Sequence, residues 1–352
     1  MAYQRRVLAR SRSGRLNVIE ESVPQPQAGE ILVEVEASLV SAGTELSGVR
    51  PPAPGEPAAA GDGESWRSFG YQNAGRVIAV GEGVTQFAPG ERVACMGAGY
   101  AVHGTVACVP VNLAVHLPEN VSYEEGAFVA LAATALNAVR RAEVVLGEFA
   151  LVMGLGLVGQ LTAQLCQLAG VHVMGSDRFE MRRQIALANG MEQAVGPEDA
   201  LVDAARQFTR GYGMDAAFLC FGGDGTEAFR QIVSVMKRAP DTHVYGRVVI
   251  PGGATVTHAF GASLGNLDIR SAARTGPGYH DRAYEVGGDY PPVYVPWTTK
   301  RHLEELVLWI SKGRLNVRSL ITHRVSLEEA PQACYELVRS PQNALGLVIV
   351  MK

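Results

Sequence analysis

The chain has 352 residues, 47% of them hydrophobic and 19% charged, with 40 glycines and a formal net charge of −4. That length exceeds one ordinary core and suits two domains with a ligand-holding cleft. The composition excludes a disordered chain, and charges of both signs scattered along it exclude a basic stripe for nucleic acid or a polybasic membrane tail.

The basic start, MAYQRRVLARSRSGRL, is followed by no long apolar stretch before Ile31, so neither a signal peptide nor a membrane anchor is expected, and the chain reads as cytoplasmic. From Ile31 to Leu39 the residues alternate as in a half-buried strand, and AGRVIAVG and ERVACMG add short strands punctuated by glycine. Pro, Gly and Ala crowd the stretch from about Val49 to Ser68, which reads as a loop, either a lid or a tolerated insertion. Near Ser122 the texture changes: a capping residue, early acids and apolar residues at helical spacing predict an amphipathic helix. Strands and helices then alternate to about Arg270, the pattern of a parallel sheet wrapped by crossover helices. An aromatic, glycine-rich loop from Arg274 to Trp297 precedes the helical stretch TKRHLEELVLWISKG, and the tail reads as strand, helix and closing strand. The cysteines Cys95, Cys108, Cys166, Cys220 and Cys334 are far apart and odd in number, which predicts reduced, mostly buried thiols.

The strand FALVM runs into Gly154, Leu155, Gly156, Leu157, Val158 and Gly159 and then into the helix QLTAQLCQLAG, the context a dinucleotide fingerprint requires. Its first glycine permits a tight turn, the second lets backbone approach a pyrophosphate, and the third lets helix pack on strand. The next strand ends in Asp177, roughly 20 residues on, where a carboxylate can accept both ribose hydroxyls. This predicts NAD, with NADP left possible by Arg178 and Ser176 beside it. Asp177 also reads as the N-cap of the following helix, and the two roles are compatible.

These elements, with Gly70 to Val77, the Val80 to Val84 turn, Phe87 to Val93 and LITHRVSLEEAPQA, resemble the medium-chain dehydrogenase/reductase family over essentially the whole chain. The resemblance implies an α/β fold: a GroES-like β-rich substrate domain over 1–125 and 300–352, with a Rossmann doubly wound parallel-sheet domain inserted over 126–299. It also implies a homodimer or homotetramer. In the zinc alcohol dehydrogenases of the family, the catalytic metal is held at positions that match Ala42, the pair Tyr71 and Gln72, and Ala130. These side chains cannot supply the three ligands a catalytic zinc needs, so no metal is expected. More narrowly, Ser41 to Glu45, Gly70–Tyr71 and the loop ending at Trp297 and Thr298 are similar to a zinc-free branch that includes bacteriochlorophyllide dehydrogenase and the dehydrogenase half of two-domain bacterial proteins linked to sugar metabolism.

Without a metal, the negative charge that builds on a carbonyl oxygen during hydride transfer must meet an acid or hydrogen-bond donors. Thr44 stands at the family's proton-relay position, Tyr71 offers a hydroxyl and Gln72 an amide; the plainer reading of Tyr71 is a strand residue. Glu45 either orients a hydroxyl at the substrate or is structural, and Thr134 matches the position that packs on the nicotinamide or else bonds its own helix. In the aromatic loop, Tyr279, Tyr284 and Trp297 suit a ring-shaped polar small molecule, and His280 with Asp281 forms a possible acid/base pair, against the reading of a solvated loop histidine. The leading expectation is oxidation or reduction of a secondary alcohol or ketone of a cyclic sugar- or cyclitol-like metabolite. Its rivals are reduction of the double bond of an enone and a non-catalytic nicotinamide-binding protein.

Overall fold

The computed structural model describes residues 3–53, 64–259 and 261–351. Much of the expected lid or insertion between Val49 and Ser68 therefore lies outside the described residues. The chain divides into two compact units: Met1–Ala130, Pro277–Gly313 and Ile321–Lys352 form the first, Leu131–Gly276 and Arg314–Leu320 the second.

The first unit is built on antiparallel strands. One sheet runs in the order Ile321–Ser326, Gly346–Val350, Glu30–Val40, Gln72–Val80, Arg92–Met96 and Ala114–His116, with Val106–Pro110 also paired to Glu30–Val40. A second sheet orders Leu16–Val23, Tyr3–Ser11 and Trp66–Ser68. The expected half-buried alternation of ILVEVEASL is corrected: Ile31, Leu32, Val33, Val35, Ala37, Ser38 and Leu39 are all buried, Glu34 alone stays exposed, and the pairing register shifts between Leu32 and Val33 and between Val35 and Ala37. A core cluster of Leu8, Leu16, Val40, Leu46, Leu347 and Ile349 closes around Tyr335. The Tyr335 hydroxyl, fully buried, accepts the Leu16 N–H at 2.7 Å. Tyr335→Phe leaves that N–H unsatisfied and is expected to cost about 1–3 kcal/mol, read as a lowered urea midpoint.

Residues 277–299 group with this first unit, which corrects the expectation that the second domain runs to 299. The reason is a set of long-range ties: Asn112 Nδ2 donates to Tyr284 O at 2.7 Å and Gly288 O at 2.8 Å, and Arg282 pairs with Glu30 at 2.6 Å. The other expected limit, 126, falls five residues short of Leu131.

The second unit is a six-stranded parallel sheet ordered Gln193–Val195, His172–Ser176, Phe149–Met153, Ala216–Leu219, Tyr245–Pro251 and Asn266–Ala272. Chain order reverses on either side of Phe149–Met153, the doubly wound arrangement whose ligands lie beyond the carboxyl ends of the strands. Phe149–Met153 is buried on both faces, which explains its continuous apolar run FALVM. The helix start expected near Ser122 is present as a capping box: Ser122 Oγ accepts the Glu125 N–H at 3.2 Å and Glu125 Oε2 accepts the Ser122 N–H at 2.9 Å. The five cysteines are free thiols. Among the described residues no helix is long and apolar enough to cross a membrane.

Candidate active site

In the second unit, the strand Phe149–Met153 turns at Gly154, whose φ of +93° lies in the region glycine tolerates best. The helix Leu157–Leu168 follows, with Gly156 at its cap position and no side chain to cap it, so its first N–H groups remain for an anion. Gly159 packs so closely that a Cβ there would lie 1.9 Å from the Gly154 carbonyl oxygen. Leu157 and Val158 form the first turn between these glycines. The residues thus fit a dinucleotide pyrophosphate: bare backbone at the approach point and a helix N-terminus behind it.

Asp177 follows the strand His172–Ser176 and is buried. Its Oδ2 accepts the Leu155 N–H at 2.8 Å and its Oδ1 accepts the Phe179 N–H at 2.8 Å. The carboxylate therefore clamps the glycine turn to the second strand. The next helix, Glu180–Ala188, has Phe179 at its cap, so the expectation of Asp177 as N-cap is corrected: it closes the turn before the helix. Two residues missed in the sequence complete this corner. Arg182 Nη1 lies 3.8 Å from Asp177 Oδ2, and Gln160 Nε2 donates to Arg182 O at 2.7 Å and Leu155 O at 3.2 Å. The exposed Arg178 lies over the Phe179 ring at 4.6 Å. Asp177→Ala removes both clamps and is expected to weaken NADH binding about tenfold or more, the equivalent of roughly 1.4 kcal/mol, while narrowing any preference over NADPH; titration with both cofactors measures it. Thr134 is half-buried on the helix Val129–Ala142.

In the first unit, the turn after Glu30–Val40 brings Ser41, Thr44 and Glu45 together with Tyr71 and Tyr279. The half-buried Tyr71 hydroxyl is hydrogen-bonded by the side chains of Ser41 and Thr44. Burial pushes its phenol well above the ordinary tyrosine range; the nearby charges of Glu45 and Tyr279 push the same way, while Ser41 and Thr44 pull against them. The phenol, protonated at neutral pH like any tyrosine, therefore keeps its proton to higher pH than an exposed one. The Tyr279 hydroxyl accepts the Ala98 N–H at 2.7 Å.

Three expectations are corrected here, for Gln72, Tyr284 and the Asp281–His280 pair, and of the two readings of Glu45 the structural one holds. Gln72 has no exposed surface and donates its amide to Leu39 O at 3.0 Å, a strand-to-strand tie rather than a donor for substrate. Glu45 is buried, with one carboxylate oxygen on the Ser41 N–H and the other on His103, so it supports the turn rather than contacting substrate. Tyr284 is 2% exposed, its ring stacked on Tyr290 and its hydroxyl accepting the Lys300 N–H at 3.1 Å, which makes it an anchor of the loop. Asp281 spends its carboxylate on the Ala283 N–H at 3.1 Å, a longer contact to the Tyr284 N–H and the Tyr290 hydroxyl at 2.5 Å, so its expected pairing with His280 has no support. His280 itself is exposed, with its ring tilted against Tyr279 at 3.9 Å between centroids. Trp297 lies under the Arg301 guanidinium at 3.8 Å and stacks on His302.

Ala42, Tyr71, Gln72 and Ala130, the positions that the sequence resemblance implies for zinc ligands, carry no His, Cys or carboxylate. Among the described residues no three His, Cys, Asp or Glu side chains gather closely enough to hold a metal ion.

The sequence model of a family described as zinc-binding dehydrogenase matches residues 158–285. An uncharacterized zinc-type alcohol dehydrogenase-like protein of Escherichia coli, YdjJ, is 25% identical, with 96% of each chain covered. Sorbitol dehydrogenase 1 of Saccharomyces cerevisiae is 25% identical over 75% of this chain and 76% of its own. An Escherichia coli oxidoreductase/dehydrogenase of unknown specificity shares the fold, with a TM-score of 0.80 at 22% identity, covering 99% of this chain and 100% of its own. Together with the glycine turn clamped by Asp177 and the order of the parallel sheet, these likenesses make the chain similar in sequence and fold to the NAD(P)-dependent oxidoreductases of the medium-chain dehydrogenase/reductase superfamily.

Proposed function

We propose that the protein transfers a hydride between a nicotinamide cofactor, NAD in preference to NADP, and a secondary alcohol or ketone of a polar, polyol-like, ring-shaped metabolite, without a catalytic zinc. The observation that carries this reading is Tyr71, which stands at a would-be zinc-ligand position with its hydroxyl held by the side chains of Ser41 and Thr44. When bound, the nicotinamide supplies or accepts the hydride. Tyr71 then serves the oxygen: its O–H donates a hydrogen bond to the carbonyl oxygen as negative charge develops, and Ser41 and Thr44 fix the direction of that bond. Thr44, exposed at the same turn, is the group that passes the proton onward.

The polyol part rests on the relative named for sorbitol, and the preference for a ring on Tyr279, whose face lies beside His280 near Tyr71. The preference for NAD rests on the Asp177 carboxylate. The zinc-free part rests on Ala42, Tyr71, Gln72 and Ala130, and stands against the family's zinc-binding description.

The test follows nicotinamide absorbance while chelator-treated protein meets matched cyclic polyols, sorbitol, their ketones and cyclic enones with NAD(H) or NADP(H). Alcohol oxidation at an unchanged rate under chelation is the expected result. Turnover lost on chelation and restored by zinc overturns the metal-free reading. The same protonated phenol could stabilise an enolate, so consumption of reduced cofactor with enones alone would reassign the activity to double-bond reduction.

A further inference from the structure

Buried carboxylates and imidazoles are costly unless each polar atom finds a partner. Glu45 and His103 are such a pair, and nothing in the hydride-transfer chemistry itself uses His103. Glu45 Oε1 lies 3.1 Å from His103 Nε2, and its Oε2 accepts the Ser41 N–H at 2.7 Å. His103 has no exposed surface, and its Nδ1 lies 2.9 Å from Ser38 Oγ. The Ser41 carbonyl in turn accepts the N–H groups of Thr44 at 3.1 Å and Glu45 at 2.8 Å. Ser41 is therefore gripped through both its N–H and its C=O, and its hydroxyl with that of Thr44 holds the Tyr71 phenol.

His103 also touches the segment that carries the phenol. Its N–H donates to Phe69 O at 3.0 Å, and the Phe69 ring meets the imidazole edge-on at 5.4 Å between centroids. Gly70, at φ +129°, lies so close that a Cβ there would stand 2.5 Å from the His103 backbone nitrogen. Tyr71 is the next residue. The imidazole thus links the turn bearing the two hydroxyls to the Phe69 ring, while the His103 backbone holds the segment that leads to the phenol.

We propose that Glu45 and His103 are a positioning pair for Tyr71: the carboxylate clamps the turn that supplies both hydrogen-bond partners of the phenol, and the imidazole locks that carboxylate against the segment from Phe69 to Tyr71. The pair acts on the rate through Tyr71, without touching substrate or cofactor. It rests on the reading of Tyr71 as the oxyanion donor.

The experiment is a double-mutant cycle on the full chain, read as kcat and KM for sorbitol with NAD, NADH affinity, and the ζ-carbon signal of Tyr71 in protein labelled with 13C-tyrosine, assigned by its loss in Tyr71→Phe. His103→Leu is expected to lower kcat about tenfold, equivalent to roughly 1.4 kcal/mol, with KM and NADH affinity nearly unchanged. His103→Gln, which restores a donor toward Glu45, recovers most of the rate. In the Tyr71→Phe background, His103→Leu lowers kcat no further. The Tyr71 signal shifts in His103→Leu and in the isosteric Glu45→Gln, a variant that also serves if His103→Leu does not fold.

An equal loss in both backgrounds, or a Tyr71 signal unmoved by both substitutions, overturns the pair's role. A slow Tyr71→Phe beside Glu45 and His103 variants at full rate overturns this proposal alone, whereas Tyr71→Phe at full rate overturns the Tyr71 reading and this one with it. If sorbitol is not turned over, the Tyr71 signal decides.

Discussion

Gly159→Val is expected to abolish nicotinamide binding, with NADH affinity falling at least about a hundredfold, the equivalent of roughly 2.7 kcal/mol. The cause is steric and lies in backbone. A Cβ at this position would stand 1.9 Å from the Gly154 carbonyl oxygen, and the Gly154 carbonyl belongs to the same turn that must present its amides to the pyrophosphate. No rotamer change relieves a clash between a Cβ and a main-chain oxygen, so the helix Leu157–Leu168 must move away from the strand Phe149–Met153 or the turn must open. Either movement also strains the bond from the Leu155 N–H to Asp177. Titration of protein fluorescence with NADH measures the loss. Circular dichroism separates it from unfolding, because the first unit has its own core and its strands should persist. Binding within a few fold of wild type would mean that the pyrophosphate does not use this turn.

The fingerprint was legible because its signal is local: an apolar strand, three glycines and an amphipathic helix are contiguous, and only one backbone geometry accommodates them. The same holds for the capping box at Ser122 and for the presence of a strand after Glu30, though not for its alternation. Asp177 lies one residue beyond the strand end that the sequence predicts for it, but the atoms it holds are not foreseeable, since Leu155 is 22 residues away. The sequence alone puts the aromatic loop in the other unit for a related reason. Its partners Ala98, Asn112 and Glu30 lie 181, 172 and 252 residues from it along the chain, and nothing in the loop's own composition points to them.

Gln72 and Glu45 show a second limit. A polar residue near family site positions reads as functional until burial is known, and in strands the choice between faces depends on one residue of register. Gln72 and Tyr71 are neighbours, yet the amide of Gln72 is fully buried on Leu39 while Tyr71 keeps its hydroxyl with Ser41 and Thr44. His103 had the weakest signal. Within AVHGTVACV it reads as a polar residue at a strand start, and its partner Glu45 is 58 residues earlier. A buried carboxylate in need of a partner was the only clue, and that clue requires knowing that Glu45 is buried.

Tyr71→Phe is expected to lower kcat by about 10²–10³-fold, the loss that follows removal of one oxyanion donor, equivalent to roughly 2.7–4 kcal/mol. KM should change little, because the phenyl ring keeps its packing and the lost bond strengthens only as charge develops on the substrate oxygen. NADH affinity should stay as in wild type, since the glycine turn and Asp177 belong to the second unit. The pH dependence gives an independent check. With the phenol held above its ordinary value of about 10 by burial and by the charge of Glu45, its protonated form persists as pH rises. The wild-type rate should therefore show no loss from Tyr71 ionisation through pH 10, where an ordinary tyrosine would be about half ionised. A rate that falls with an apparent pKa near 10 in wild type and not in Tyr71→Phe would place the phenol in a far more solvated setting than the one described. Steady-state kinetics under chelation completes the argument: if Tyr71 stands in for a metal, the residual rate of Tyr71→Phe is as indifferent to chelator as the wild-type rate, because neither protein has a Lewis acid to lose.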